Sequence, residues 1–231
     1  MRAITKIVAA SFATLSLSLA ATAASATTLV SIATSGDPGA DQISWTSTGP
    51  GSGDLLVDDL ATYINFNNAL VNDGAGQEAF LTLTATANGS LSTTPGPNFT
   101  QTGLDGEFTF WNAAHDTKLL HGVFTGLWLT GLPGGETGNI TDQLGQVILD
   151  SDIVDLSYLT HFNASFTFSN VHPIFSLGQN GDELQSFDAD SLAGTFGGSV
   201  PEPGTWALMI LGFGGAGAML RSRRQLSVTA A

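Results

Sequence analysis

The chain has no cysteine among its 231 residues. Disulfide frameworks and thiolate metal sites are therefore excluded, and stability has to come from an ordinary packed core. Basic residues are nearly missing as well. There are six, and only Lys118 lies within residues 27–199. The same stretch holds nineteen of the twenty acids, so its formal charge is −18. A body of that sign repels phosphate backbones and anionic lipid, which argues against a nucleic-acid partner and favours a dispersed, water-soluble domain. Charged residues make up only 11% of the chain, too few for helices laced by salt bridges.

The ends read as export and anchoring segments. Arg2 and Lys6 precede an uncharged, Ala/Leu/Ser-rich stretch that runs to Ala24. Ala24-Ser25-Ala26 supplies the small-x-small pattern of a signal-peptide cleavage site, so residues 1–26 are predicted to be removed and the mature chain to begin near Thr27. At the other end a Pro201-Glu202-Pro203 punctuator precedes an uncharged run over 204–220, which Arg221, Arg223 and Arg224 close. Seventeen residues at ~1.5 Å each make about 25 Å of helix, near the lower limit for spanning a hydrocarbon core. Trp206 stands where an indole prefers the membrane interface, and the arginines predict a cytoplasmic exit. A single transmembrane helix is expected there, followed by a short tail over 225–231. Gly212-Phe213-Gly214-Gly215-Ala216-Gly217 fits G-x-G-x-x-G by letter only, because no strand precedes it and no acid follows it.

Pro201-Glu202-Pro203-x-x-Trp206-Ala207, then Met209-Ile210-x-Gly212-Phe213-Gly214, then the arginine cluster, closely resembles the PEP-CTERM sorting signal in its PEPxxWA form. The resemblance implies export through the inner membrane of a Gram-negative cell and recognition by an exosortase, a membrane-embedded cysteine peptidase-like enzyme. It implies cleavage or transfer near Pro201, Glu202 and Pro203, which makes those residues part of a substrate. It covers residues 200–224 and leaves the body unassigned.

The body, residues 27–199, is one domain in size. Apolar residues recur with period two in Phe80-Leu81-Thr82-Leu83-Thr84-Ala85-Thr86-Ala87 and in Phe162-Asn163-Ala164-Ser165-Phe166-Thr167-Phe168. Residues 108–111 and 123–129 are further strand candidates, with turn signals such as Asn88-Gly89-Ser90 and Leu132-Pro133-Gly134-Gly135 between them. Many short half-buried strands predict an all-β fold, an antiparallel β-sandwich of jelly-roll type. A short helix is expected over 58–70, a Gly/Pro/Ser-rich loop over 35–54 and a flexible linker over 194–200. No internal repeat stands out.

Candidate chemistry in the body is sparse. Acids cluster at Asp54, Asp58 and Asp59, at Asp150, Asp152 and Asp155, and over 182–190. Clustered carboxylates on loops can bind calcium, and Asp150, Asp152 and Asp155 are weak calcium candidates. None of the clusters has EF-hand spacing, and a solvated acidic surface is the commoner outcome. His115, His121, His161 and His172 lack zinc-ligand spacing. There is no G-x-S-x-G, so a catalytic role is not expected. The leading expectation is a non-enzymatic, exported envelope or matrix protein, first anchored in the inner membrane and then at the cell surface or outside it. A module binding exopolysaccharide or another glycan is the alternative, with Trp45, Trp111 and Trp128 as its candidate platform. A glycan hydrolase and an ice-binding protein built on Thr82, Thr84 and Thr86 rank lower.

Overall fold

The computed structural model describes residues 27–34, 42–67, 76–93, 96–142 and 146–199, together with Phe213. The signal segment with Ala24 and Ala26, the motif residues Pro201, Glu202, Pro203, Trp206 and Ala207, and the arginines lie outside the described residues. So does the expected span over 204–220, apart from Phe213.

Among the described residues eleven strands follow one another: β1 Thr27–Thr34, β2 Ile43–Gly49, β3 Ser52–Phe66, β4 Gln77–Asn88, β5 Leu91–Ser92 and β6 Phe99–Trp111. Then come β7 Lys118–Gly131, β8 Gly138–Thr141, β9 Gln146–Asp150, β10 Thr160–His172 and β11 Phe187–Ser199. Period two places side chains alternately in and out. In β4, Ala79, Leu81, Leu83, Ala85 and Ala87 are buried while Thr84 and Thr86 face water. The expected all-β character and strand faces are thus present.

The expected sandwich is replaced by a closed antiparallel barrel of eight staves. Six staves are the long strands β3, β4, β6, β7, β10 and β11. The other two are each built from two short strands laid end to end. β1 and β2 share the stave between β11 and β3. β8 and β9 share the stave between β7 and β10. Closure follows from length and bulging. The six long strands have 12 to 15 residues, and register breaks occur at Val57/Leu60, Gln101/Leu104 and Thr160/Asn163. Bulges increase strand coiling, so a long bulged sheet meets itself instead of folding over as two layers.

Three further expectations change for local reasons. Residues 58–66 are the second half of β3, not a helix. Asp58 and Asp59 both point outward at a bulge, with Asp59 at φ 51°. That doubling puts Val57 and Leu60 three apart in sequence, which imitates helical spacing. Residues 43–54 form β2, its turn and the start of β3, not a loop. Residues 194–199 are the end of β11, not a linker. β11 pairs with β1 on one side and β10 on the other. The glycines there serve close packing: a Cβ on Gly198 would lie 2.8 Å from Leu29 Cδ1, and one on Gly197 would lie 2.7 Å from Asn163 Oδ1.

A degenerate repeat also emerges. β6 and β11 share Phe-x4-Leu-x-Gly-x-Phe, as Phe99, Leu104, Gly106 and Phe108 and as Phe187, Leu192, Gly194 and Phe196. The two strands sit four staves apart in the ring of eight, as a two-fold relation between half-barrels requires. Their terminal phenylalanines, Phe108 and Phe196, meet in the interior with ring centroids 4.9 Å apart. Around them pack Phe110, Phe124 and Phe166, all at most 1% exposed. An eight-stave interior has room for side chains and little else, and here phenylalanine fills it. An apolar interior with acids on the outside is the reverse of an outer-membrane barrel.

Each barrel end is closed by a loop. At one end Phe175, from the β10–β11 connection, packs against Phe99 and Phe187, and Trp45 stacks on Phe187. Beside this cluster Gln101 is fully buried and its amide donates to the Gly51 and Thr102 carbonyls, which ties the β2–β3 turn to β6. At the other end the β9–β10 loop over 151–159 tucks in Val154, Leu156 and Leu159.

Candidate functional surfaces

Strand direction puts both ends of the domain at the same rim. Thr27 of β1 lies opposite Gly198 of β11, and Ser199 lies opposite Thr160 of β10. The Ser199 hydroxyl donates to the Thr160 carbonyl at 2.9 Å and is 3.4 Å from His161 Nδ1. The β6–β7 turn over 112–117 and the loop over 151–159 share this rim, because Trp111 pairs with Lys118 and His121 with Asp150.

Asp150, Asp152 and Asp155 come to this rim, but each engages a different donor. Asp150 faces the Lys118 ammonium at 3.8 Å. Asp152 accepts the Lys118 backbone N–H at 2.8 Å, and Asp155 accepts the Ser157 N–H at 2.9 Å. The Ser157 hydroxyl and N–H hold the Asp155 carboxyl below its usual pKa. In the neighbouring turn the Asn112 amide and then the Thr117 hydroxyl do the same for Asp116. These acids fasten turns. Among the described residues no three His, Asp or Glu side chains converge in a metal-binding arrangement.

The histidines are likewise dispersed. His115 lies 3.5 Å from Asp59 and against the Phe80 ring. His121 Nδ1 is 3.0 Å from both Thr109 Oγ1 and the Phe108 carbonyl. His172 Nδ1 is 3.4 Å from Asp190. Trp45 cannot serve as an exposed platform. It is 1% exposed, its Nε1 donates to the Leu184 carbonyl, and a Cβ on Gly53 would fall 2.3 Å from its ring. Trp111 and Trp128 are half-buried.

Register assembles a surface that the linear pattern hides. Leu56, Thr84, Glu107, Val123 and Ile148 are successive cross-strand neighbours on β3, β4, β6, β7 and β9. Leu56, Val123 and Ile148 are exposed apolar residues in that row. Beside it runs a second row, in which Asp54 accepts from Thr86 and Asp105 accepts from the Gly126 N–H. Between the rows lies an open groove of about 690 Å³, with an apolar floor and a rim of carboxylates and threonines.

The decisive observation on targeting is the stretch that begins where β11 ends. Residues 199–224 match the family model of the PEP-CTERM protein-sorting motif. The chain carries a PEP-CTERM sorting signal. The signal marks an exosortase-sorted protein that is exported or displayed at the surface. No curated protein and no solved structure matches the chain. Since the match starts at Ser199, the last residue of β11, the PEP-CTERM signal joins the barrel with no spacer.

Proposed function

We propose that this PEP-CTERM protein is a non-enzymatic component of the cell envelope or extracellular matrix. It is exported by its N-terminal signal, held in the inner membrane through 204–220, and processed by an exosortase near Pro201, Glu202 and Pro203. The observation that carries this reading is a complete barrel followed directly by a sorting signal. A closed barrel with a filled interior suits a displayed, durable body, and its negative charge keeps it dispersed after release. Intact mass spectrometry of the protein from its host tests the reading. The expected product ends near residues 200–203 when exosortase is present, and at Ala231 when the enzyme is deleted. A C-terminus at Ala231 in both strains overturns it.

The groove favours a second role for the same body, contact with a neutral exopolysaccharide. Sugar rings offer C–H faces for Leu56 and Val123 and hydroxyls for Asp54 and Glu107, while the carboxylates repel polyanionic glycans. Leu56→Asp is expected to abolish retention on the host's own neutral polysaccharide and to leave the melting temperature unchanged. Equal retention of both forms rules the groove out.

A further inference from the structure

We infer that the rim loop over 151–159 is a docking surface for the membrane-embedded processing enzyme, which meets the folded barrel as well as the linear PEP-CTERM signal. The inference rests on the exosortase reading above and goes beyond it.

The first ground is reach. Pro201 is two residues past Ser199, and two extended residues span about 7 Å at most. Ser199 itself is held, because it is paired with Thr160 and is only 8% exposed. A peptidase cleft takes its substrate as extended chain flanked by walls. With about 7 Å of free chain, the enzyme closing on Pro201 has to touch the rim from which β11 emerges.

The second ground is what that rim presents. The loop over 151–159 connects directly to Thr160, the partner of Ser199. It is built as a firm platform. The Ser151 hydroxyl donates to the Leu119 carbonyl at 2.6 Å and accepts the N–H groups of Ile153 and Val154. The Leu159 N–H donates to the Leu156 carbonyl at 3.0 Å. Three of its apolar residues face the core, yet Ile153 and Tyr158 point outward, 43% and 48% exposed. A tyrosine held on an ordered loop is a residue type that anchors protein interfaces, and Ile153 beside it adds exposed apolar area.

The third ground selects the occupant. Asp116, Asp150, Asp152 and Asp155 ring the same end, and Lys118 is the one cation among the described residues. Such a rim is repelled by an anionic lipid surface. A protein face is favoured over lipid, and the length of chain places the processing enzyme there.

The test uses the full chain in its host and follows conversion of precursor to product by pulse-chase. Two variants are compared with the parent. One is Ile153→Ser/Tyr158→Ser, whose exposed positions leave the fold intact. The other inserts six Gly/Ser residues between Val200 and Pro201, which leaves the rim and every residue from Pro201 onward unaltered but lets them separate by roughly 20 Å. Both are expected to be converted on the order of tenfold more slowly than the parent, which corresponds to ~1.4 kcal/mol of lost contact. Wild-type conversion of either variant overturns the docking surface, as does faster conversion of the insertion variant. If the double variant unfolds, as judged by its melting temperature, the insertion variant decides alone. In an exosortase-deleted strain the double-variant precursor should fractionate with the membrane as the parent does. Its release would reassign the rim to lipid contact and sink the inference. A parent chain left unconverted in the presence of exosortase overturns the exosortase reading itself and takes the docking surface with it.

Discussion

Phe108→Ala is expected to destabilise the barrel by about 3–5 kcal/mol. Phe108 is 1% exposed and meets four aromatic neighbours, Phe110, Phe124, Phe166 and Phe196, with ring centroids 4.9 to 6.3 Å away. These residues come from β6, β7, β10 and β11, so one ring ties half of the staves together. The ring lies directly over Gly122, where a Cβ would fall 2.2 Å from Phe108 Cζ. Gly122 has no side chain to move into the vacated space, and a closed barrel cannot shrink without changing its stave number. The hole therefore stays, and both the transfer and cavity terms apply. Against a typical total of ~5–15 kcal/mol, that is a large fraction. For a domain of this size the melting temperature should fall by roughly 10 °C. Phe108→Leu keeps most of the volume and should lose under half as much. Thermal unfolding followed by circular dichroism measures both. A fall of under ~3 °C for the alanine variant would mean that the aromatic cluster is not the keystone described here.

The second large effect concerns where the chain may be cut. A chain ending at Ala193 is expected to have no cooperative unfolding transition, whereas one ending at Val200 should melt as the full-length protein does. Residues 194–199 carry the β11 pairings with Thr27–Ile32 of β1 and with the first half of β10. They also carry Phe196, fully buried against Phe108 and Phe166. Removing them opens the barrel along two ladders at once, exposes unpaired strand edges and deletes a core ring. A cut at the PEP residues spares all of this, because the domain is complete at Ser199. The two outcomes are read from heat-induced transitions and protease resistance. A cooperative transition in the shorter chain would show that β11 is dispensable at its end, and that residues 194–199 behave as the linker their composition suggests.

That composition shows how sequence and structure part company. Gly194, Gly197 and Gly198 read as flexibility, since glycine permits it. In the fold they are small because Ile32, Asn163 and Leu29 press on them. The two meanings of glycine are identical in one dimension and are separated only by a neighbour 34 to 169 residues away in sequence. Asp58-Asp59 is a similar case. Two outward acids in succession break period two, and only pairing with β4 shows the break to be a bulge. Trp45 illustrates the converse. It stands among polar residues and looks available, yet Gly53 across the strand pair and Phe187 make its pocket. The acids at 150–155 stand out as a cluster, while the exposed Ile153 among them and Tyr158 just after them carry no local signal. What marks those two is their distance from the exit of β11, which no local pattern records.

The sequence by itself determined several of the strands and the route. Alternation is a property of five to eight consecutive residues, and it survives over residues 80–87 of β4 and 162–168 of β10. The PEP-CTERM signal is read by an enzyme as a linear segment, so its letters suffice to recognise it. Only the tertiary structure decided that the strands close into a barrel, that Phe108 and Phe196 meet inside it, and that both ends of the domain leave from one rim. Closure depends on register summed around eight staves, with each bulge shifting the total. That sum is non-local, and it is what turns a supposed spacer into the strand that seals the fold at the sorting signal.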